Sequence, residues 1–293
     1  MSHSPAGFLV LDKPAGITSR DAVDHAQAWF PKQKIGHAGT LDPSATGVLI
    51  LGVGSIVTRF IEYVQDQEKE YISTFHLGGV SSTDDAEGEI KPTANIQPIS
   101  EVTLKEHLQK FIGSISQTPP AFSAAKIQGE RAHTKARRGE AVVLQPRTVT
   151  VHELTLQRYE WPTLDVLIRC SKGTYIRSIA RDLGQSLGCG GYVQALRRTR
   201  IGSVNAEQAI PWQSTAEEAQ AALLPLSLAA AHLARFEASE EEARRLQQGQ
   251  ALPFEAARDH EVSLWHNERF IGIGSVDTAR NRLKPTKMVT LDV

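Results

Sequence analysis

Asp42 lies in the string Gly36-His37-Ala38-Gly39-Thr40-Leu41-Asp42-Pro43-Ser44-Ala45-Thr46-Gly47, a lone carboxylate among small residues. Pro43 fixes its own φ and biases Asp42 toward an extended backbone. The glycines permit positive φ and the close approach of another chain. A carboxylate held on such a loop is accessible and fixed, as a nucleophile must be. The simpler alternative is an Asx-turn, in which Asp42 only hydrogen-bonds nearby backbone.

Other residues carry latent chemistry. Arg177 and Arg181 fall one helical turn apart near the start of an expected helix, where the macrodipole disfavours cations. A carboxylate partner would compensate. Six cations, Lys126, Arg131, Lys135, Arg137, Arg138 and Arg147, face only Glu130 and Glu140. A second group, Arg169, Lys172, Arg177, Arg181, Arg197, Arg198 and Arg200, is counted against Asp182. Such clusters suit phosphate binding with salt-sensitive affinity; the alternative is scattered, solvated arginines. Taken alone, Tyr71 reads as a half-buried sheet tyrosine, Lys13 as a solvated turn residue and Thr83 to Gly88 as a solvated acidic turn.

These residues need elements to position them. Gly7 to Leu11 and Val48 to Leu51 are short apolar runs that read as buried strands. Between them, Thr18 or Ser19 caps a helix with Ala22, Val23, Ala26, Trp29 and Phe30 inward, stopped by Pro31. Val53 to Val64 is mixed and helical from Ile56. Lys69 to Gly78 alternates as a strand that puts Tyr71 and Phe75 on one face. Ser100 or Thr103 caps a helix with an apolar stripe of Leu104, Leu108, Phe111 and Ile112. Val149 to Arg158 and Thr163 to Cys170 are strands, with Cys170 a core thiol. Thr174 caps a helix to about Leu187 whose buried stripe is Ile176, Ile179, Ala180, Leu183 and Leu187, with Arg177 and Arg181 off it. Thr215 to Arg235 reads as alanine- and leucine-rich helix interrupted at Pro225. Ser239 to Glu242 opens a capped helix closed by Gly249, and a hairpin turns at Asn267-Glu268 before a last strand, Lys284 to Leu291.

The 293 residues, 41% apolar, suffice for one large or two ordinary domains with a proper core. A net charge of −1 does not by itself announce a nucleic-acid binder. Two cysteines without metal-ligand spacing fit a reducing cytoplasm and make a disulfide framework or zinc site an unexpected feature. No run approaches the roughly 20 apolar residues of a membrane helix.

The string around Asp42 closely resembles the catalytic-loop motif of the bacterial tRNA pseudouridine synthase family that acts on uridine 55, the TruB family. Further matches are Lys13-Pro14-x-Gly16, Tyr71, the acidic loop Thr83 to Gly88, Ser123-Ala124-x-Lys126-x-x-Gly129, Lys172-Gly173-Thr174-Tyr175-Ile176-Arg177 and Leu196-Arg197-Arg198. The resemblance implies Asp42 as nucleophile, Arg177 as its ion-pair partner and Tyr71 stacked on the target base. It implies RNA contacts from His37, Lys13, Lys126, Arg131, His133, Arg137, Lys172, Tyr175, Leu196 and Arg197. His133 departs from the family's usual tyrosine: its ring can stack, but it supplies no phenol.

The family's fold is α+β: a pseudouridine synthase domain with a mixed, largely antiparallel sheet and flanking helices, expected over 1–235, with an RNA-clamping segment at 119–148. A small, β-rich, PUA-like RNA-binding domain is expected over 236–293. The implied reaction detaches uracil, turns it and rejoins it through carbon, with no cofactor and no metal. The implied partner is the T-arm stem-loop of tRNA, bound by a cytoplasmic monomer without a guide RNA. Burial would raise the Asp42 pKa, whereas Arg177 would lower it and keep the carboxylate charged. A rival reading is a non-catalytic tRNA-binding or tRNA-folding module. A retaining glycosidase would need a second carboxylate about 5 Å away, which the nearest loop does not offer. Guide-RNA-dependent relatives share Leu-Asp-Pro but usually carry lysine-rich tails and a larger PUA unit.

Overall fold

The computed structural model describes residues 5–123, 126, 127, 130–138, 140 and 144–289. Its main sheet runs in the order Gly7–Lys13, Thr46–Val53, Gly191–Ile201, Lys69–Leu77, Thr163–Cys170, Arg147–Glu160, Gly113–Gln117. Only the contact of Thr46–Val53 with Gly191–Ile201 is parallel; the other neighbours on this path are antiparallel. This is the mixed, largely antiparallel α+β sheet expected.

The apolar runs become strands because both of their faces are covered. Leu9, Leu11, Leu49 and Leu51 point into one core, and Phe8, Val10, Val48 and Ile50 into a second. Burying each such side chain contributes about 1.5–3 kcal/mol. The Lys69–Leu77 strand alternates as read, with Lys69, Tyr71, Ser73, Phe75 and Leu77 all inward.

The helix Ser19–Trp29 opens with a capping box between Thr18 and Asp21 and buries Ala22, Val23, Ala26 and Trp29. Ser100 caps Glu101–Gln109, where Leu104 and Leu108 are buried. Phe111 is only partly buried and Ile112 is exposed, because both lie beyond the helix end. The helix Ile176–Ser186 has Tyr175 as its N-cap with no side-chain capping bond. Thr174, expected as the cap, instead donates to Ser171 O at 3.0 Å. At its other end Gly184 lets this helix meet the next strand, since a Cβ there would lie 2.2 Å from Gly190 C.

The long helix expected over Thr215 to Arg235 is not formed. Ala216–Ala221 is helical, Pro225 opens the 3₁₀ turn Leu226–Ala230, and Ala234–Glu237 is a strand. Main-chain bonds between Phe8 and Leu224 draw this stretch alongside the first strand, overriding helix propensity.

The second sheet runs Ala234–Glu237, His260–His266, Arg269–Asp277, Arg282–Met288, Leu252–Pro253. Its first strand spans the boundary expected between 235 and 236. Asn267 and Glu268 both take positive φ at the hairpin turn, as a tight two-residue connection requires. The unit docks on the first domain through Phe270 against Phe60 (ring centroids 5.8 Å apart), a Tyr63–Glu261 hydrogen bond of 3.1 Å, and Lys287 with Glu62.

Candidate active site

The residues on either side of Asp42 are clamped. Leu41 N donates to Ser19 Oγ at 2.9 Å, and Ser19 Oγ donates to Leu41 O at 3.1 Å. Pro43 O accepts from Gly16 N at 2.9 Å and from Lys13 Nζ at 3.1 Å. Lys13 is therefore no solvated turn residue. It is fully buried, donates also to Pro14 O and Ile17 O, and ties the two ends of the site together. It holds the loop from beneath. Burial pushes its ammonium down to about 8, partly opposed by the Asp42 charge.

Gly47 ends the loop with φ of 99°, and a Cβ there would lie 2.2 Å from Arg198 O. The glycine is what lets the loop enter the parallel strand contact.

Arg177 reaches Asp42 from the helix Ile176–Ser186. Its Nε lies 2.9 Å from Asp42 Oδ2, and its Nη2 donates to Oδ1 at 3.0 Å. Placed off the buried stripe by helical periodicity, Arg177 is nonetheless only 4% exposed. It fills a polar slot, donating to Thr83 O and Phe122 O at 2.9 Å each, with Asp85 Oδ2 3.3 Å from Nη1. Arg181 likewise meets Asp84 and Asp182 at 2.8 Å each. Asp84 and Asp85 are thus inward partners rather than a solvated turn. Two arginines one turn apart, facing two adjacent acids, were the legible signal for this.

The Asp42 pKa is raised. Burial is the largest cause and Asp85 adds to it, while the charge of Arg177 and then Lys13 oppose it. The net direction corrects the expectation that Arg177 would hold it low: burial outweighs the guanidinium, which is shared with a second carboxylate.

Asp42 lies in the wall between two cavities of about 490 and 430 Å³. The larger also takes in Lys69, Tyr71, Lys172, Tyr175, Leu196 and Arg198. The smaller includes His37, Arg20 and Glu87. Tyr71 is 8% exposed, and burial raises its phenol while Arg198 opposes the rise. Tyr175 is held by Gln117, whose Oε1 accepts from its N at 2.7 Å and whose Nε2 donates to its O at 3.0 Å. The guanidinium of Arg147 sits over the Tyr175 ring, 4.7 Å from its centroid. Sequence reasoning singled out none of Gln117, Ser19 and Lys69 as site residues, since nothing local marks them, and it read Arg198 only as one of a group of surface cations in a family match, not as a buried wall of the cleft.

The second cationic group is not a free patch. Arg197 makes two 2.9 Å bonds to Asp12, Arg200 lies 3.2 Å from Glu70, and Lys172 lies 2.7 Å from Asp66. Counting these cations against Asp182 alone missed acids that distant strands bring to them. In the 119–148 segment the side chains of Lys126, Arg131, His133 and Arg137 lie outside the described residues. Arg138 there pairs with Glu130 at 2.8 Å and Glu140 at 2.6 Å.

Three family models match the chain. TruB family pseudouridylate synthase (N terminal domain) covers residues 27–176. tRNA pseudouridylate synthase B C-terminal domain covers 177–226, and Pseudouridine synthase II TruB, C-terminal, covers 235–289. A tRNA pseudouridine synthase B of Leifsonia xyli subsp. xyli is 44% identical over 255 residues, spanning 84% of this chain and 83% of its own. One of Synechococcus sp. (strain WH7803) is 41% identical over 289 residues, 94% of each. Among solved structures, a chain of a Cbf5-Nop10-Gar1 complex superposes with a TM-score of 0.76 at 23% identity, covering 98% of this chain and 85% of that one, a likeness of fold. Matched over most of its length by these models and relatives, the chain belongs to the TruB family of pseudouridylate synthases.

Proposed function

We propose that the protein isomerises uridine 55 in the T-loop of tRNA to pseudouridine, with Asp42 as nucleophile, Arg177 as its ion-pair partner and Tyr71 stacking on the base. The observation that carries this reading is the Asp42 carboxylate, gripped side-on by Arg177 in the wall of a cleft that Tyr71 also lines. A uridine stacked in its loop is out of reach, so it is extruded at a cost of roughly a few kcal/mol. Stacking on an aromatic ring returns about 1–3 kcal/mol of that. Arg177 fixes the direction of the carboxylate through charge-assisted bonds.

His37, beside Asp42, and Lys172, Tyr175 and Leu196 around the larger cleft hold the opened loop, together with Arg197, and with Lys126, Arg131, His133 and Arg137 closing over it. Lys13 acts from beneath, through the loop it supports. The catalytic domain ends near 235, and the C-terminal sheet is a PUA-like RNA-binding domain. The enzyme works as a cytoplasmic monomer without a guide RNA.

The test is incubation with an unmodified T-arm stem-loop, scoring its target uridine. Conversion by the unaltered protein, with Asp42→Asn binding the RNA but leaving it unchanged, is expected. Binding without conversion by the unaltered protein would favour a tRNA-folding module. Normal turnover by Asp42→Asn would remove Asp42 from the nucleophile role.

A further inference from the structure

Two cations at the deep end of the larger cleft have no part in the chemistry above. Lys69 is 6% exposed and Arg198 is 1% exposed, yet both line the cleft with Tyr71. Arg198 stands directly across the strand pair from Tyr71, and Lys69 is two residues before Tyr71 on the same face. Apart from a side-chain hydrogen bond between Arg198 and the Tyr71 hydroxyl, their hydrogen bonds go to main-chain carbonyls. Lys69 donates to Gln65 O and Gln67 O, and Arg198 donates to Val48 O at 2.8 Å and Gly39 O at 3.2 Å.

The acids nearby are engaged elsewhere: Asp66 by Lys172, Glu70 by Arg200 and Asp42 by Arg177. Neither Lys69 nor Arg198 forms an ion pair among the described residues. Burying cations without counter-charges is costly. The cost is visible in Lys69, whose ammonium is pushed down to about 8 by burial first and by Arg198 next. Stored positive potential of this kind is useful where negative charge develops during a reaction.

We propose that Lys69 and Arg198 form an electrostatic floor that stabilises the negative charge on uracil while it is detached from the ribose. This rests on the function proposed above. The C1′–N1 bond breaks with its electron pair left on N1, so the freed base carries the charge in its ring and carbonyl oxygens. As that bond breaks, the Asp42 carboxylate bonds to C1′; after the base turns, C5 displaces Asp42 from C1′, the C5 proton is lost and N1 takes one up, so bonds and protons close without a co-reactant. A flat base lying beside Tyr71 reaches the depth of Lys69 and Arg198. A phosphodiester would meet the more exposed cations of the same cleft, such as Lys172, whose side chain is 60% exposed. The floor therefore serves the base rather than a phosphate.

The test uses Lys69→Met and Lys69→Arg in the full chain with two T-arm stem-loops, one carrying uridine and one carrying 5-fluorouridine at the target. Fluorine stabilises the detached anion by itself and halts the reaction after rejoining, since C5 then has no proton to lose. Consumption of each nucleoside is followed in single turnover, and binding to the product stem-loop is measured in parallel. Lys69→Met is expected to lose about 100-fold on uridine, the scale of one preorganised charge-stabilising donor, but only a few-fold on 5-fluorouridine. RNA affinity is expected to stay within about twofold, and Lys69→Arg to recover most of the uridine rate. Equal losses on both substrates would overturn the inference, as would a loss expressed mainly as weaker binding, the mark of a phosphate contact. Arg198→Lys gives the same comparison if Lys69→Met does not fold. No conversion by the unaltered protein would overturn both readings; conversion with equal losses overturns this one alone.

Discussion

Arg177 and Asp42 meet side-on across 135 positions of chain, Nε 2.9 Å from Oδ2 and Nη2 3.0 Å from Oδ1. The same guanidinium has Asp85 3.3 Å away on its far side. One cation thus serves two carboxylates, and neither is neutralised in full.

The acid side of the pH profile should register this sharing. The Asp42 pKa is raised, chiefly by burial and further by Asp85. A carboxylate is reactive above its pKa, so activity should fall on acidification at a higher pH than an ordinary aspartate would give. Removing the Asp85 charge with Asp85→Asn should move that limb to lower pH. Single-turnover rates from pH 4 to 8 measure both, and an acid limb that moves upward in Asp85→Asn would contradict this electrostatic account.

Gly47→Ala should be costly away from any substrate. Its φ of 99° disfavours an L side chain, and the new Cβ would lie 2.2 Å from Arg198 O. A loss of at least about 2 kcal/mol is expected in urea unfolding. The rate should fall as well, because the loop bearing Asp42 enters its strand here.

The buried lysines contribute one part of the alkaline behaviour, opposed by the Cys170 thiol, which burial pushes up to about 11. Lys13 and Lys69 each fall from 10.5 to about 8 in the folded protein. Between those values the unfolded chain binds more protons than the folded one, so stability from these groups rises with pH from about 8 to 10.5. Lys13→Met should remove about half of that rise, seen by comparing denaturant midpoints at pH 7.5 and 9.5. The same variant should lower the conversion rate at every pH, since the hold on Pro43 O is gone.

Phe270→Ala should loosen the C-terminal unit selectively. Phe270 packs edge-on against Phe60, and its removal costs about 3 kcal/mol of packing. Amide exchange should quicken in the 234–289 sheet while the Lys69–Leu77 strand stays protected. Uniform quickening would mean that the two sheets unfold as one.

The sequence by itself determined the elements whose periodicity is local. The alternation of Lys69 to Leu77, the box of Thr18 with Asp21 and the left-handed turn at Asn267-Glu268 each depend on neighbours a few residues away. It also marked Asp42 and Arg177, because a recurring motif surrounds each. Only the tertiary structure decided which charges are spent. Arg197 finds Asp12, Arg200 finds Glu70 and Arg181 finds Asp84 on segments far apart in the chain, so a tally along the sequence overstated the free cations. Lys13 and Arg198 stood in recognised motifs, yet nothing along the chain showed that both are buried. Burial and pairing are properties of the space around a side chain, and that space is built by segments that share no local pattern with it.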